Sequence, residues 1–246
     1  MSNNELAVPF NPSDLSFLKQ SSGGGFGFAK LAHGQGIEVA KGIARPGQLI
    51  VPSQDGDIKE CIVLGNAKDG DYTCKAISGP YRPCAVTFGP DNSIKRKSYN
   101  VKDPIYKQIA TAKSVQGGDQ QCWGTEVLFF FPAEEINPSL REKFANGILA
   151  SFFYKNTNRK YSTAGEWVTE AGVPICTPVV LENEFVETAK FSWYLLKTKA
   201  KLQNDTFPQF ESGVEAIMEA WGAFMSPCLA PINESVDVKS DSIPVR

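Results

Sequence analysis

Residues 71–101 read DYTCKAISGPYRPCAVTFGPDNSIKRKSYNV, and this stretch decides the predicted fold. Three segments typical of strands alternate in it with Gly-Pro and Gly-Pro-Asp-Asn, which are combinations typical of turns. The strand-like segments in residues 37–70 end in Pro-Gly or Asp-Gly in the same way. Short strands at such regular spacing, with turn residues between them, predict a β-barrel or a β-sandwich.

Several short helices are predicted after these strands. Residues 103–114 and 137–148 open with Asp and Asn as caps, each followed by Pro at the first helical position. A further helix is predicted for residues 157–171, and a last one begins near Ser212. Ser212 and Glu215 match the spacing of a capping box there.

The remaining strands are predicted in the second half of the chain. Residues 124–132 (GTEVLFFFP) form one apolar run, and residues 177–186 and 190–202 read as a pair of strands. Together with the earlier segments, these patterns predict the α+β class, with mainly β structure.

Three regions are predicted along the chain. Residues 1–36 form a flexible Gly-rich N-terminal arm that carries Phe26 and Phe28, whose rings could dock on the protein, on a neighbouring subunit or on a ligand. The glycines of this arm do not have the spacing of a phosphate-binding loop. Residues 37–225 form a single globular domain, and residues 226–246 form a loose C-terminal tail.

The composition favours a non-enzymatic, cytoplasmic protein. The chain has 246 residues, of which 42% are hydrophobic, so it can bury a sizeable core, yet it has no long apolar run and no signal sequence at its start. Its six cysteines lack paired spacing, and His33 is the only histidine, so we expect buried thiols, no metal and no cofactor. No catalytic motif is visible, and we therefore predict no enzyme activity.

Charge is distributed unevenly over a chain whose net charge is −2. Lys and Arg outnumber Asp and Glu in residues 141–201, and the reverse holds in residues 202–246. A basic middle is compatible with a face that binds polyanions, although solvated surface charges give the same pattern.

Three segments combine aromatic and basic residues, the mixture by which proteins bind single strands through base stacking and phosphate neutralisation. The candidate nucleic-acid-binding residues in them are Trp193, Tyr194, Lys197, Lys199, Tyr154, Lys155, Arg159, Lys160, Tyr161, Lys95, Arg96, Lys97 and Tyr99. In the last segment, a period of two places Trp193 on one strand face with Lys197 and Lys199. The alternative for each segment is a half-buried strand with solvated lysines, since aromatic residues mostly pack in cores.

The order of elements resembles that of single-stranded DNA-binding proteins of bacteriophages. The resemblance covers roughly residues 37–225 and is carried by six stretches: IARPGQLIV, DPIYKQIA, GTEVLFFFP, FFYKNTNRK, VPICTPVVL and KFSWYLLKTK. It implies an OB-like five-stranded β-barrel elaborated with short helices, no catalysis, and non-specific protection of single-stranded DNA during phage replication and recombination. A location in the host cytoplasm is implied as well.

The C-terminal end departs from that family, in which many members end in a strongly acidic tail that recruits partners. Acidic and basic residues are mixed here: Glu234, Asp237, Lys239, Asp241 and Arg246. Binding of replication or recombination proteins, and homo-oligomerisation, stay open. The alternatives to DNA binding are a virion structural or assembly protein that forms homo-oligomers and a small enzyme whose site has no visible motif.

Overall fold

A computed structural model of the chain describes residues 27–53, 57–68, 71–90, 94–113, 115–155, 175–187, 189 and 192–229. The helix predicted for residues 157–171 lies outside these residues, as do most of the N-terminal arm and most of the C-terminal tail. None of the helices in the described ranges has the length and apolarity that crossing a membrane requires.

Within the described ranges, eleven strands form one sheet. They are β1 (Gly27–Leu31), β2 (Leu49–Val51), β3 (Ile62–Val63), β4 (Asn66–Lys68), β5 (Asp71–Phe88), β6 (Ile94–Ser98), β7 (Val115–Gln116), β8 (Asp119–Phe131), β9 (Ile148–Lys155), β10 (Thr177–Glu187) and β11 (Ser192–Lys201). The main order is β11-β10-β5-β8-β9-β1-β2-β3, while β4 and β6 pair with β5 and β7 pairs with β8. β1 runs parallel to β9, and every other pair of these strands is antiparallel.

The described helices are few and mostly short. They are α1 (Ile37–Ala40), α2 (Pro104–Thr111), α3 (Pro138–Arg141) and α4 (Phe210–Leu229), with single 3₁₀ turns at Ile58–Glu60, Ala133–Glu135 and Asn204–Thr206. The cap predicted for α2 is confirmed, because the Asp103 carboxylate accepts a hydrogen bond from the Ile105 N–H at 2.9 Å. The capping box predicted at Ser212 is wrong: α4 begins at Phe210, and the Ser212 hydroxyl donates to the Gln209 carbonyl instead.

The predicted five-stranded OB-like barrel is wrong, and the long strand β5 shows why. β5 continues for 18 residues through Gly79 and Pro80, which the sequence analysis assigned to a turn. Its register with β8 shifts between Ser78 and Tyr81, so the missing N–H of Pro80 falls at a bulge, where proline is tolerated. One long strand can therefore pair with β4, β6, β8 and β10 in a large open mixed sheet. The broader α+β class, with mainly β structure, is confirmed.

Apolar side chains pack on both faces of the sheet. Because side chains alternate along β8, Val127, Phe129 and Phe131 point to one face, which we call the core face. Leu128 and Phe130 point to the other, which we call the helix face, and pack against α4. The prediction that the phenylalanines of residues 129–131 belong to the core is confirmed, since each is at most 2% exposed.

The loop before β2 contacts β10 and β11, which lie at the opposite end of the sheet order. The Asn183 side chain of β10 donates a hydrogen bond to the Gly47 carbonyl at 2.9 Å. Gly47 has φ +79°, and a Cβ there would lie 2.4 Å from the Tyr194 ring, so this turn requires glycine. The contact brings the beginning of β11 close to β1, and this proximity creates the groove described below.

Strand β9 leaves no room for a side chain at Gly124 of β8. A Cβ on Gly124 would lie 2.0 Å from the Tyr154 carbonyl oxygen. We therefore expect Gly124→Ala to lower the free energy of unfolding by about 1–3 kcal/mol, as overpacking does, measured by urea denaturation. Gly222→Ala is the matched control: nothing lies within 4 Å of its Cβ in α4, so this change should stabilise the helix. Equal stability of the two variants would contradict the close approach.

Candidate nucleic-acid interface

A groove of about 720 Å³ opens between β1, β9 and the beginning of β11. Aromatic residues from four strands line it: Phe28, Phe88, Phe152, Phe153, Trp193 and Tyr194. Lys30, Lys155 and Gln120 contribute its polar side chains. Among the described residues no Asp or Glu belongs to this lining; its charged side chains are Lys155 and Lys30, of which Lys30 is paired with Glu38 outside the lining.

Strand β1 presents a ring and a cation to the groove because it alternates. Phe28 and Lys30 are exposed, whereas Gly27 and Ala29 are buried. Parallel pairing with β9 places Phe28 beside Ser151. Phe28 is 39% exposed, a large value for a phenylalanine, and its ring is available to a ligand. The region predicted as an arm over residues 1–36 thus supplies a strand of the sheet and part of the groove.

Ammonium groups lie beside rings along the groove. The Lys155 Nζ is 5.3 Å from the centre of the Phe88 ring, and the Lys97 Nζ is 5.9 Å from the centre of the Phe28 ring. These distances are within the range of cation–π attraction. Lys30 is held by an ion pair of 2.9 Å with Glu38 of α1. Rings and ammonium groups therefore lie side by side in this region.

Trp193 and Tyr194, two of the predicted binding residues, both line the groove. The Tyr194 ring is fixed between Gly47 and Phe185, whose ring centre lies 5.1 Å away. The predicted strand pair is confirmed as the antiparallel hairpin β10–β11. This hairpin places both aromatic residues at the beginning of β11, next to β1.

The lysines farther along β11 are paired with carboxylates of β10. Lys197 forms an ion pair with Glu184, and Lys199 forms one of 3.4 Å with Glu182. These are cross-strand pairs, and neither lysine lines the groove. The structure therefore separates them from Trp193, with which the period-two pattern grouped them.

Two predicted stacking residues are buried. Tyr154 is 1% exposed and lies in the core-face cluster, while Tyr99 is 8% exposed on the helix face. Burial raises the pKa of both phenols above the usual value. Neither ring is accessible for stacking on a base. Lys155, which follows Tyr154, does line the groove.

The basic residues predicted at positions 95–97 belong to β6 and make different contacts. Lys95 forms an ion pair of 2.7 Å with Asp119, and an Arg96 Nη donates to Gln108 of α2 at 3.3 Å. Lys97 is the residue of β6 that approaches the groove. The remaining predicted residues lie outside the described part of the chain; they are Arg159, Lys160 and Tyr161.

A buried charge cluster lies behind Lys97 on the helix face. Arg82 and Glu126, 4% and 2% exposed, form an ion pair in which Nε and Nη2 of Arg82 both lie 2.9 Å from the same Glu126 oxygen, Oε2. The other Glu126 oxygen accepts from the Ser151 hydroxyl at 2.7 Å and lies 3.9 Å from the Lys97 Nζ. Burial by itself raises the pKa of Glu126, but Lys97, Arg82 and the Ser151 hydrogen bond outweigh it and hold this pKa below its usual range.

The guanidinium of Arg82 connects this cluster to α4. It lies 3.5 Å from the centre of the Tyr99 ring and 4.1 Å from that of Phe224, and it donates to the Phe224 carbonyl. The next residues of α4 include Pro227, which lacks an N–H and leaves the Ala223 carbonyl without its helical donor; the Ser226 hydroxyl bonds to that carbonyl. The cluster therefore fixes the far end of α4 on the sheet.

The described cysteines do not form a reactive centre. All six are free, and four of them are buried. Burial raises the pKa of Cys61 to about 11 and that of Cys84 to about 12, so both stay protonated at neutral pH. No group of three or more His, Cys, Asp or Glu among the described residues could hold a metal ion.

The predicted site did not include Lys30, Phe88 and Phe153 of the groove, or the charge pair of Arg82 and Glu126. The alternation in GFAKL was a local signal for Lys30. The others come together only through pairing between distant strands. No family model, no curated protein and no solved structure matches this chain.

Proposed function

We propose that this protein binds single-stranded DNA in the groove without sequence preference, and that it coats and protects the strand during replication and recombination. The observation that carries the proposal is the groove itself, whose described lining combines rings from β1, β5, β9 and β11 with two lysines and contains no carboxylate. No catalytic step is assigned to the protein.

The chemistry of the lining favours a single strand over a duplex. Every base has a face that can stack on a ring, but in a duplex those faces are covered by neighbouring bases. Phe28 and Trp193 offer apolar ring surface, while Lys30 and Lys155 are placed to neutralise phosphates. The lining offers few hydrogen-bonding groups that could read base edges, which favours binding without sequence preference.

The role in replication and recombination rests on the resemblance to phage proteins. Binding of a single strand does not, because the described residues form a different fold from the barrel implied by that resemblance. The groove in the open sheet supports it independently. Binding to replication or recombination proteins is left open, since no described surface favours a partner of that kind.

A titration with oligo-dT tests the proposal. We expect quenching of tryptophan fluorescence that weakens steeply as salt is raised, and much poorer binding to a duplex of equal length. The chain has four tryptophans, so Trp193→Phe is the matched variant: it should lose most of the quenching while a labelled oligonucleotide still binds.

Failure to retain labelled oligonucleotide even at low salt would contradict the proposal. An obligate oligomer without nucleic-acid affinity would then favour the virion assembly protein. Equal affinity for single strand and duplex would show a simple electrostatic surface without stacking.

A further inference from the structure

A second, smaller pocket of about 380 Å³ adjoins the groove at the beginning of β11. Leu31, Trp193 and Tyr194 line both cavities, so the same side chains form the boundary between them. On its far side the pocket is lined by Phe185 of β10 and by the loop that contains His33. The part of its lining that the structure describes likewise contains no Asp or Glu.

Phe185 gives this pocket a free ring surface. Its side chain is 52% exposed, although it packs at a ring distance of 5.1 Å on Tyr194. One side of the aromatic pair is therefore supported by the protein and the other faces solvent. An exposed large ring at the tip of a hairpin contributes little to the core, but it is suited to stack on a planar ligand group.

His33 gives the pocket a hydrogen-bond donor. Its Nδ1 accepts a hydrogen bond from the Gln35 N–H at 3.2 Å, so the neutral imidazole carries its proton on Nε2. His33 is exposed, and this N–H can donate to a phosphate or to a base oxygen. The pocket thus combines a stacking surface with a donor and with no negative charge.

We propose that the pocket around Phe185 is a second stacking subsite, and that the ligand is one continuous strand that occupies both cavities across Trp193 and Tyr194. This inference rests on the proposed function. It predicts that affinity depends on the length of the oligonucleotide. One long enough to span both cavities binds well, whereas a short one occupies one cavity only and gains nothing from Phe185.

The experiment measures affinity for oligo-dT from about 2 to about 12 nucleotides, a span that includes the smaller known site sizes. Unlabelled oligonucleotides compete with a labelled long strand bound to the wild type, to Phe185→Ala and to Phe185→Tyr. We expect Phe185→Ala to weaken binding of the long strand about 5- to 150-fold and to leave the shortest strand unaffected, whereas Phe185→Tyr keeps the wild-type length dependence.

Tyr81→Ala is the matched control, because Tyr81 is an aromatic residue of similar exposure, 40%, that lines neither cavity. It should bind strands of all lengths as the wild type does. Phe185 is largely exposed, so its replacement should not unfold the protein, and thermal unfolding checks this point.

The outcomes separate the two proposals. Unchanged affinity of Phe185→Ala for every length, with weaker binding by Trp193→Ala, overturns the second subsite and keeps the groove. An equal loss for short and long strands also overturns it, because Phe185 would then act only through Tyr194. Absence of binding by the wild type at every length overturns the proposed function itself.

Discussion

Glu126→Gln should lower the free energy of unfolding by about 3–5 kcal/mol, the usual effect of breaking a buried ion pair. Glutamine keeps the size of the side chain but leaves the Arg82 guanidinium, 4% exposed, without its counter-charge. The aromatic rings on either side of Arg82 and the Phe224 carbonyl cannot replace a carboxylate held at 2.9 Å. Urea denaturation followed by circular dichroism measures the change.

A double-mutant cycle gives the control for this prediction. Arg82→Met alone should cost about as much, because it leaves the buried Glu126 carboxylate with the Ser151 hydroxyl and with Lys97, whose Nζ is 3.9 Å away. The double variant Arg82→Met/Glu126→Leu removes both charges, so it should be clearly more stable than the sum of the single effects implies. Strict additivity would show that the two residues contribute separately.

The low pKa of Glu126 also gives the prediction a pH dependence. The folded-state pKa lies below the unfolded-state value of about 4.5, so the pair contributes full stability above that value and loses it as pH falls through the folded pKa. The difference in stability between wild type and Glu126→Gln should therefore shrink in acid. A difference that stays constant down to strongly acidic pH would contradict ionisation of Glu126.

The double variant Trp193→Ala/Lys155→Gln should lose more affinity for single-stranded DNA than either single variant. Loss of one stack is expected to cost about 1–3 kcal/mol, or about 5- to 150-fold in affinity. Loss of one phosphate contact should also reduce the slope of log affinity against log salt by about 0.7. Anisotropy of labelled oligo-dT at several salt concentrations measures both quantities.

The single variants distinguish the two roles. Trp193→Ala should lower affinity at every salt concentration without changing the slope, whereas Lys155→Gln should change the slope. Lys59→Gln is the matched control for charge, since Lys59 is exposed and lies outside the groove lining. An identical change of slope in Lys59→Gln and Lys155→Gln would show that only the overall charge matters.

Local patterns predicted the local elements. The caps of α2, the apolar strand β8 and the hairpin β10–β11 follow from neighbouring residues, and the sequence contained those signals. Gly79 and Pro80 have the composition of a turn, but a bulge accommodates them within β5, because pairing partners on both sides keep the strand extended. The sheet order depends on contacts between distant residues, and a single sequence does not reveal such contacts.

The candidate site was predictable only in part for the same reason. Trp193, Tyr194 and Lys155 were found because aromatic and basic residues are neighbours in the sequence. The same rule selected Tyr154, but the alternation of side chains along β9 places its ring in the core. Phe88 and Lys30 stand in segments with no unusual composition, and only the pairing of β1 with β9 and β5 with β8 brings them to the groove.

The parallel pairing of β1 with β9 has a consequence for folding kinetics. Gly27 pairs with Ala150, so this contact closes a very long loop. The chain loses conformational entropy when the loop closes, and this cost precedes the stabilisation that the pairing gives. Proteins dominated by such distant pairings fold slowly. Because Phe28 and Lys30 lie on β1 while Trp193 lies on β11, the groove can form only after the chain has been synthesised beyond residue 201. The capacity to bind a ligand is therefore acquired late, and a refolding experiment should detect it after most of the secondary structure has formed.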